Sequence, residues 1–300
     1  MKKKTYLIAL MAMALTLGSC SDNENGIGGE TSKNITVSTS IGNMTRVATD
    51  ANGAQTFEEG DEISVYAWTG APTVAPETSE RVVNNAINKL TNGSWVSTPQ
   101  MLWKNNRDKH YFIGVYPTAA ISDLSAGEYT FDANKQTESD LLVAVNPDGL
   151  SYSADAQQTV PLTFTHVMAK LAVNLTYKNQ WGGIPTVEKV VVGNAAKEAT
   201  INYLTKVVTP STTAKEDFSL PEITENTKYV SVIIPQEDVK QLTIVIGGKN
   251  FVYDNGTPFK LESGKITTVN LEVGRDEIKL GDVKITNWED GSTFSGVALN

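Results

Sequence analysis

Cysteine occurs once, at Cys20, and histidine twice, at His110 and His166. A single thiol excludes any intramolecular disulfide, so a secreted form must rely on core burial. Two isolated imidazoles without His-Glu-x-x-His spacing offer no histidine cluster for zinc. Basic residues are also in deficit: 25 Lys and Arg stand against 34 Asp and Glu, a formal charge of −9. Phosphate backbones repel such a chain, which argues against nucleic-acid binding. Phosphate-cradling glycine motifs (the P-loop and Gly-x-Gly-x-x-Gly) are missing, and no apolar run reaches the roughly 20 residues that a bilayer-spanning helix needs.

What the chain does contain is a core-forming composition. Of 300 residues, 40% are apolar and 8% aromatic, enough for a packed interior in about two domains. The first segment has a separate purpose. Lys2, Lys3 and Lys4 form a positive start, residues 6–17 an apolar stretch of secretory length, and Leu17-Gly18-Ser19-Cys20 resembles a bacterial lipobox. In such signals the leader, here residues 1–19, is cut before the cysteine, and acyl chains on that cysteine hold the protein on a bilayer. Loss of the three lysines leaves 22 basic against 34 acidic residues. Ser21-Asp22-Asn23-Glu24 resembles a surface-export signal of Bacteroidetes lipoproteins, and residues 20–34 read as a tether.

From residue 35 onward the pattern is that of strands. Residues 35–41, Ile-Thr-Val-Ser-Thr-Ser-Ile, alternate apolar and polar, with Gly42 as a breaker. Strands are expected over 111–116, 129–131, 141–145, 161–166, 170–177, 242–246, 250–253, 259–261, 266–273 and 285–288; residues 57–68 read as a turn entering a strand, and 187–192 and 229–234 as apolar runs. Residues 82–90 fit a strand or a short helix, 199–208 a strand pair or a bent strand, and Asn146-Pro147-Asp148-Gly149 a turn. Gly247-Gly248 marks a hairpin. Short strands separated by frequent turns predict an all-β fold of β-sandwiches. The domain boundary is expected at Gln157 and Gln158, giving domains 35–158 and 159–300.

Candidate chemistry is sparse. His166 lies in an apolar run and reads as a hydrogen-bonded structural residue; His110, after Arg107-Asp108-Lys109, reads as a solvated strand edge. The acidic cluster Glu58-Glu59-Gly60-Asp61-Glu62 reads as a solvated turn. Asp50-Ala51-Asn52-Gly53 lacks the closing Glu of a calcium loop. Trp68, Trp95, Trp103, Trp181 and Trp288 read as core or loop plugs before sugar platforms. No catalytic residue, metal ligand or cofactor is expected.

In order, the chain carries the lipobox, Thr45-Arg46-Val47, the segment Phe57 to Tyr66, the strand ending Tyr116-Pro117, Asp140-Leu141-Leu142-Val143-Ala144, the run Leu162 to Val173, and Ile285-Thr286-Asn287-Trp288. This ordered set resembles the fimbrillin family of Bacteroidales, the FimA-like and Mfa-like pilins. The resemblance implies two tandem transthyretin-like β-sandwich domains behind a lipoprotein signal peptide. It further implies a lipid on Cys20 in the outer membrane, and cleavage by an arginine-specific protease between Arg46 and Val47. Cleavage would remove residues 35–46 as a first strand, and a neighbouring subunit would then supply a strand to the vacated groove. The expected donor is the C-terminal region, with Val283, Ile285 and Val297 as candidate inserting residues; 285–288 equally suits the closing strand of the second sandwich. The implied partners are other pilin subunits, with a host or bacterial surface ligand for adhesion. The competing expectation is a monomeric tethered lipoprotein that binds a glycan or host ligand.

Overall fold

The computed structural model describes residues 33–42, 56–153, 158–254 and 256–288. Its N-terminal strands are β1 (Thr36–Ile41), β2 (Glu62–Thr69), β3 (Val83–Thr91), β4 (Ser94–Thr98), β5 (His110–Tyr116), β6 (Gly127–Thr130), β7 (Leu142–Leu150) and β8 (Thr159–His166). Seven of them hydrogen-bond as one sheet in the order β1-β8-β7-β5-β2-β3-β4. All pairs are antiparallel except β1 on β8, which is parallel. The sheet curls until its two edges meet. There Asn34 bridges Leu102, the Ile35 N–H donates to the Met101 carbonyl at 2.9 Å, and the Trp103 N–H donates to the Lys33 carbonyl at 3.1 Å.

The second half comprises β9 (Ala169–Tyr177), β10 (Val187–Ala196), β11 (Glu198–Asn202), β12 (Val207–Pro210), β13 (Lys215–Ser219), β14 (Glu222–Thr224), β15 (Lys228–Ile233), β16 (Gln241–Ile246), β17 (Lys249–Asp254), β18 (Lys265–Val273) and β19 (Ile278–Asn287). A five-stranded sheet, β14-β15-β9-β18-β19, faces a four-stranded sheet, β13-β10-β16-β17. The fold is thus all-β, as the period-2 pattern requires. Among the described residues, helix is limited to two 3₁₀ turns, Thr78–Glu80 and Asn179–Trp181.

The central strands of the first sheet are buried on both faces. In β2, Ile63, Val65 and Ala67 enter the core enclosed by the curled sheet. Tyr66 and Trp68 point the other way, into a larger apolar cluster that continues through the second sandwich. This explains why residues 63–68 read as a nearly unbroken apolar run rather than an alternating one. The halves are also joined by backbone: β6 pairs with β11, and β11 with β12. Gln136 reinforces the junction by accepting from the Val232 N–H at 2.7 Å.

Three expectations are corrected. The strand after residue 158, β8, pairs with β1 and β7, so the chain leaves the first sheet only after His166. Its inward Val160, Leu162 and Phe164 complete the first core. The Asn146-Pro147-Asp148-Gly149 turn is instead the far end of β7. Leu150 still pairs with His110, while Gly149, at φ +64°, absorbs the irregularity. Residues 259–261 form no strand of their own; Leu261 makes only an isolated bridge to Gln236. Between the alternatives left open, residues 82–90 are a strand, β3, and 199–208 a strand pair, β11 and β12.

Candidate functional site

β1 is the element whose attachment differs most from its neighbours. It lies 123 positions from its partner in sequence: Ser40 Oγ donates to Thr163 Oγ1 at 3.2 Å. The parallel register runs from Thr36↔Thr159 to Ile41↔Phe164. Ile35 and Val37 are buried, and Ile41 packs against the same core. The Gly42 N–H closes the strand on the Phe164 carbonyl at 2.8 Å. Each buried aliphatic side chain contributes about 1.5–3 kcal/mol. Each backbone hydrogen bond adds roughly 0.5–1.5 kcal/mol net. Taking β1 away would expose Val160, Leu162 and Phe164 and leave the edge of β8 unpaired, an opening shaped for another strand.

Opposite its β8 edge, β1 faces β4 across a seam. Trp95 Nε1 donates to Thr39 Oγ1 at 3.0 Å across it. The seam widens into a groove of 580 Å³ lined by β1, Phe57, Leu90 and Trp95 among others. Phe57 anchors this end of the core: its ring meets Phe164 at 5.1 Å, Tyr116 at 5.3 Å and Trp95 at 5.4 Å, all edge-on. Burial, and then the neighbouring Asp61 carboxylate, push the Tyr116 phenol above its ordinary pKa.

At the other end of the chain, β19 is an edge strand of the five-stranded sheet, paired with β18 alone. Val283 and Ile285 lie opposite Val269 and Thr267, which are buried, yet are themselves 40% and 39% exposed. Leu280, opposite Leu271, continues the row at 36% exposed. The candidate donor residues in the described part of the chain therefore sit in the closing strand of the second sandwich. Cys20, Arg46, Val47 and Val297 lie outside the described residues.

The histidines are structural. His166 is buried and its Nδ1–H donates to Asp140 Oδ1 at 2.8 Å. His110 is not a solvated edge: it is fully buried, its Nδ1–H donates to the Asp108 carbonyl and its Nε2 accepts from the Lys104 N–H, both at 3.1 Å. Burial lowers its pKa from the ordinary value. The acidic cluster is a solvated turn, in which Asp61 Oδ2 accepts from the Glu58 N–H at 2.7 Å and Glu62 pairs with Lys89 at 3.0 Å. Trp68, Trp103 and Trp288 are buried core residues, and Trp95 and Trp181 are half-buried. Among the described residues no group of three His, Cys, Asp or Glu is placed to hold a metal ion.

Arginine placement carried a signal that motif reading passed over. The sequence has four arginines: Arg46, Arg81, Arg107 and Arg275. Arg81 is buried, donating to the Ile121 carbonyl at 2.6 Å and the Ser122 carbonyl at 2.5 Å. The Arg107 backbone is held in a tight turn by Asn105 Oδ1, at 2.8 Å. Arg275 sits in the β18–β19 turn, closed by the Gly274 N–H on the Glu277 carbonyl at 2.8 Å. All three therefore stand in folded backbone.

The fimbrillin-like family profile matches residues 45–288. A candidate cell adhesion protein of Bacteroides uniformis shares this fold with a TM-score of 0.63 at 18% identity, covering 86% of this chain and 100% of that one. A fimbrial protein of Bacteroides vulgatus gives 0.52 at 13% identity, with 85% and 100% covered. The tip fimbrial protein of Porphyromonas gingivalis, C-terminally truncated, gives 0.50 at 12% identity, with 77% and 95% covered. Among curated proteins no sequence matches this one. An all-β chain with two packed halves and a matching profile over most of its length belongs to the fimbrillin-like family.

Proposed function

We propose that this chain is a subunit of a cell-surface pilus, exported as an outer-membrane lipoprotein on Cys20 and made competent for assembly by cleavage between Arg46 and Val47. The supporting observation is the attachment of β1. It is a single edge strand, paired with a β8 far away in sequence, and residues that would be exposed by its loss form a continuous apolar strip. Arg46 follows the end of β1 by five residues, so a cut there disconnects β1 from the remaining body. Strand addition satisfies the exposed backbone and core together. A head-to-tail contact of this kind does not close on itself and builds a fibre.

The donor in this reading is the C-terminal region. β19 brings Val283 and Ile285 to a half-exposed edge, and Val297 lies further along the chain. Adhesion, through the fibre or directly, is its output. The role is structural, and catalysis forms no part of it.

Treating the purified 20–300 form with an arginine-specific protease tests the proposal. The expected result is a product beginning at Val47, followed by oligomers. A chain that keeps the Arg46–Val47 bond intact while folded, and stays a monomer that binds a surface glycan, would establish the tethered-binder alternative instead.

A further inference from the structure

The strand that carries β1 also carries the anchor of the C-terminal strand. β8 pairs with β1 over residues 159–164 but with β7 only through Phe164, Thr165 and His166. From Thr159 to Thr163, β1 is therefore the strand partner of β8 among the described residues. His166 then ends β8 beneath the Trp288 ring, stacked parallel at 4.0 Å with an interplanar angle of 7°. Asp140 fixes the imidazole from its edge at 2.8 Å.

Trp288 gives β19 a buried foothold. From Lys279 to Lys284 every side chain of β19 is exposed, whereas Trp288, the next residue after the strand, is 7% exposed. The Lys170 ammonium lies 4.1 Å from the Trp288 ring centroid, and the Trp288 N–H donates to the Gly264 carbonyl at 3.0 Å. A cation against an aromatic face in a partly desolvated place adds to the attachment.

We infer that the Trp288–His166 stack is a latch that couples the seating of β1 to the retention of β19. With β1 in place, β8 is paired along its length and His166 is held under Trp288. Without β1, β8 keeps three paired residues, the base of the latch loosens, and β19 with its half-exposed aliphatic row is released. This rests on the proposal that β1 is removable. Coupling between two sites is reciprocal, so weakening the latch also weakens the hold on β1.

Amide hydrogen exchange by mass spectrometry tests this on three dilute, monomeric samples. They are the 20–300 chain, the same chain with His166→Gln, and a chain produced directly from Val47. Exchange in β19 is expected to be at least about tenfold faster in the chain starting at Val47 than in the 20–300 chain. In the His166→Gln chain, the amides of β1 should exchange faster although no residue of β1 is changed. Equal β19 exchange with and without β1, in material that still oligomerises when concentrated, overturns the latch and leaves the assembly reading standing. Released β19 in material that never oligomerises supports the latch and counts against the assembly reading. If the Val47 chain does not fold, unchanged β1 exchange in the His166→Gln chain overturns the latch by itself.

Discussion

The Phe164 ring occupies the place where a side chain on Gly114 would begin. A Cβ built on Gly114 would stand 2.6 Å from Phe164 Cζ and 3.1 Å from Leu162 Cδ1. Gly114 lies in β5, two strands from β8, and its bare backbone leaves room for the Phe164 ring, which meets Phe57 edge-on. The glycine is needed for close approach rather than for an unusual backbone angle. Gly114→Ala is therefore expected to lower stability by about 1–3 kcal/mol, the usual range for overpacking. Urea denaturation of the 20–300 chain measures it, and adding Phe164→Leu should recover part of the loss. An alanine variant as stable as the parent would show that Phe164 does not depend on this gap.

Val37, the second residue of β1, points inward and is 6% exposed. Val37→Asp places a carboxylate in an apolar core with no cationic partner designed for it, so β1 should detach while the rest of the body stays folded. The expected result is oligomerisation of the uncut chain, together with a loss of about 3 kcal/mol or more from the β1 attachment. Size-exclusion chromatography of the variant, with an otherwise unchanged Arg46, reads the outcome. A monomeric, folded variant would argue that seating β1 is not what blocks assembly.

Among the described arginines, Arg81 is buried, and Arg107 and Arg275 sit in short hydrogen-bonded turns. Proteases need several residues in extended form, and tight turns provide them only after local unfolding. Limited digestion of the folded chain with an arginine-specific protease should therefore give one early cut, after Arg46. Cuts after Arg107 and Arg275 should appear only in denaturant. Early fragments ending at Arg107 would contradict this placement.

Burial holds the pKa of the His110 imidazole below the ordinary value in the folded protein. In the unfolded chain the same ring takes up a proton as pH falls through about 6.5. The folded state binds fewer protons in that window, so the contribution of His110 is complete above the unfolded pKa and is lost as pH falls toward the folded one. Thermal melts between pH 8 and pH 5 should show a declining Tm. His110→Gln, which keeps a donor and an acceptor, should flatten the decline whatever it does to the absolute Tm. An identical slope in the variant would assign the acid sensitivity elsewhere.

Much of this architecture is legible in the chain. Alternation in residues 35–41 marks β1, and the glycine pair at 247–248 marks the β16–β17 hairpin. These features are local: a two-residue period and a turn residue act on their own neighbours, so a linear reading finds them. His166 was readable as a structural residue for the same reason, since it lies within an apolar strand.

Pairing over long separations was not legible. The polar stretch before residue 158 looks like a linker, but β8 returns to the first sheet because its Val160, Leu162 and Phe164 fill the space between β1 and β7. His110 looks exposed among charged neighbours and is buried because β5 runs beneath Trp103, with ring centroids 5.0 Å apart. The strand content was thus determined by the sequence itself, through short-range periodicity and residue chemistry. Which strand seats β1, where the first sheet ends, and that one strand carries both β1 and the Trp288 anchor were decided by the tertiary structure. Register and sheet order follow from how distant apolar faces fill a shared core, and no local pattern encodes that.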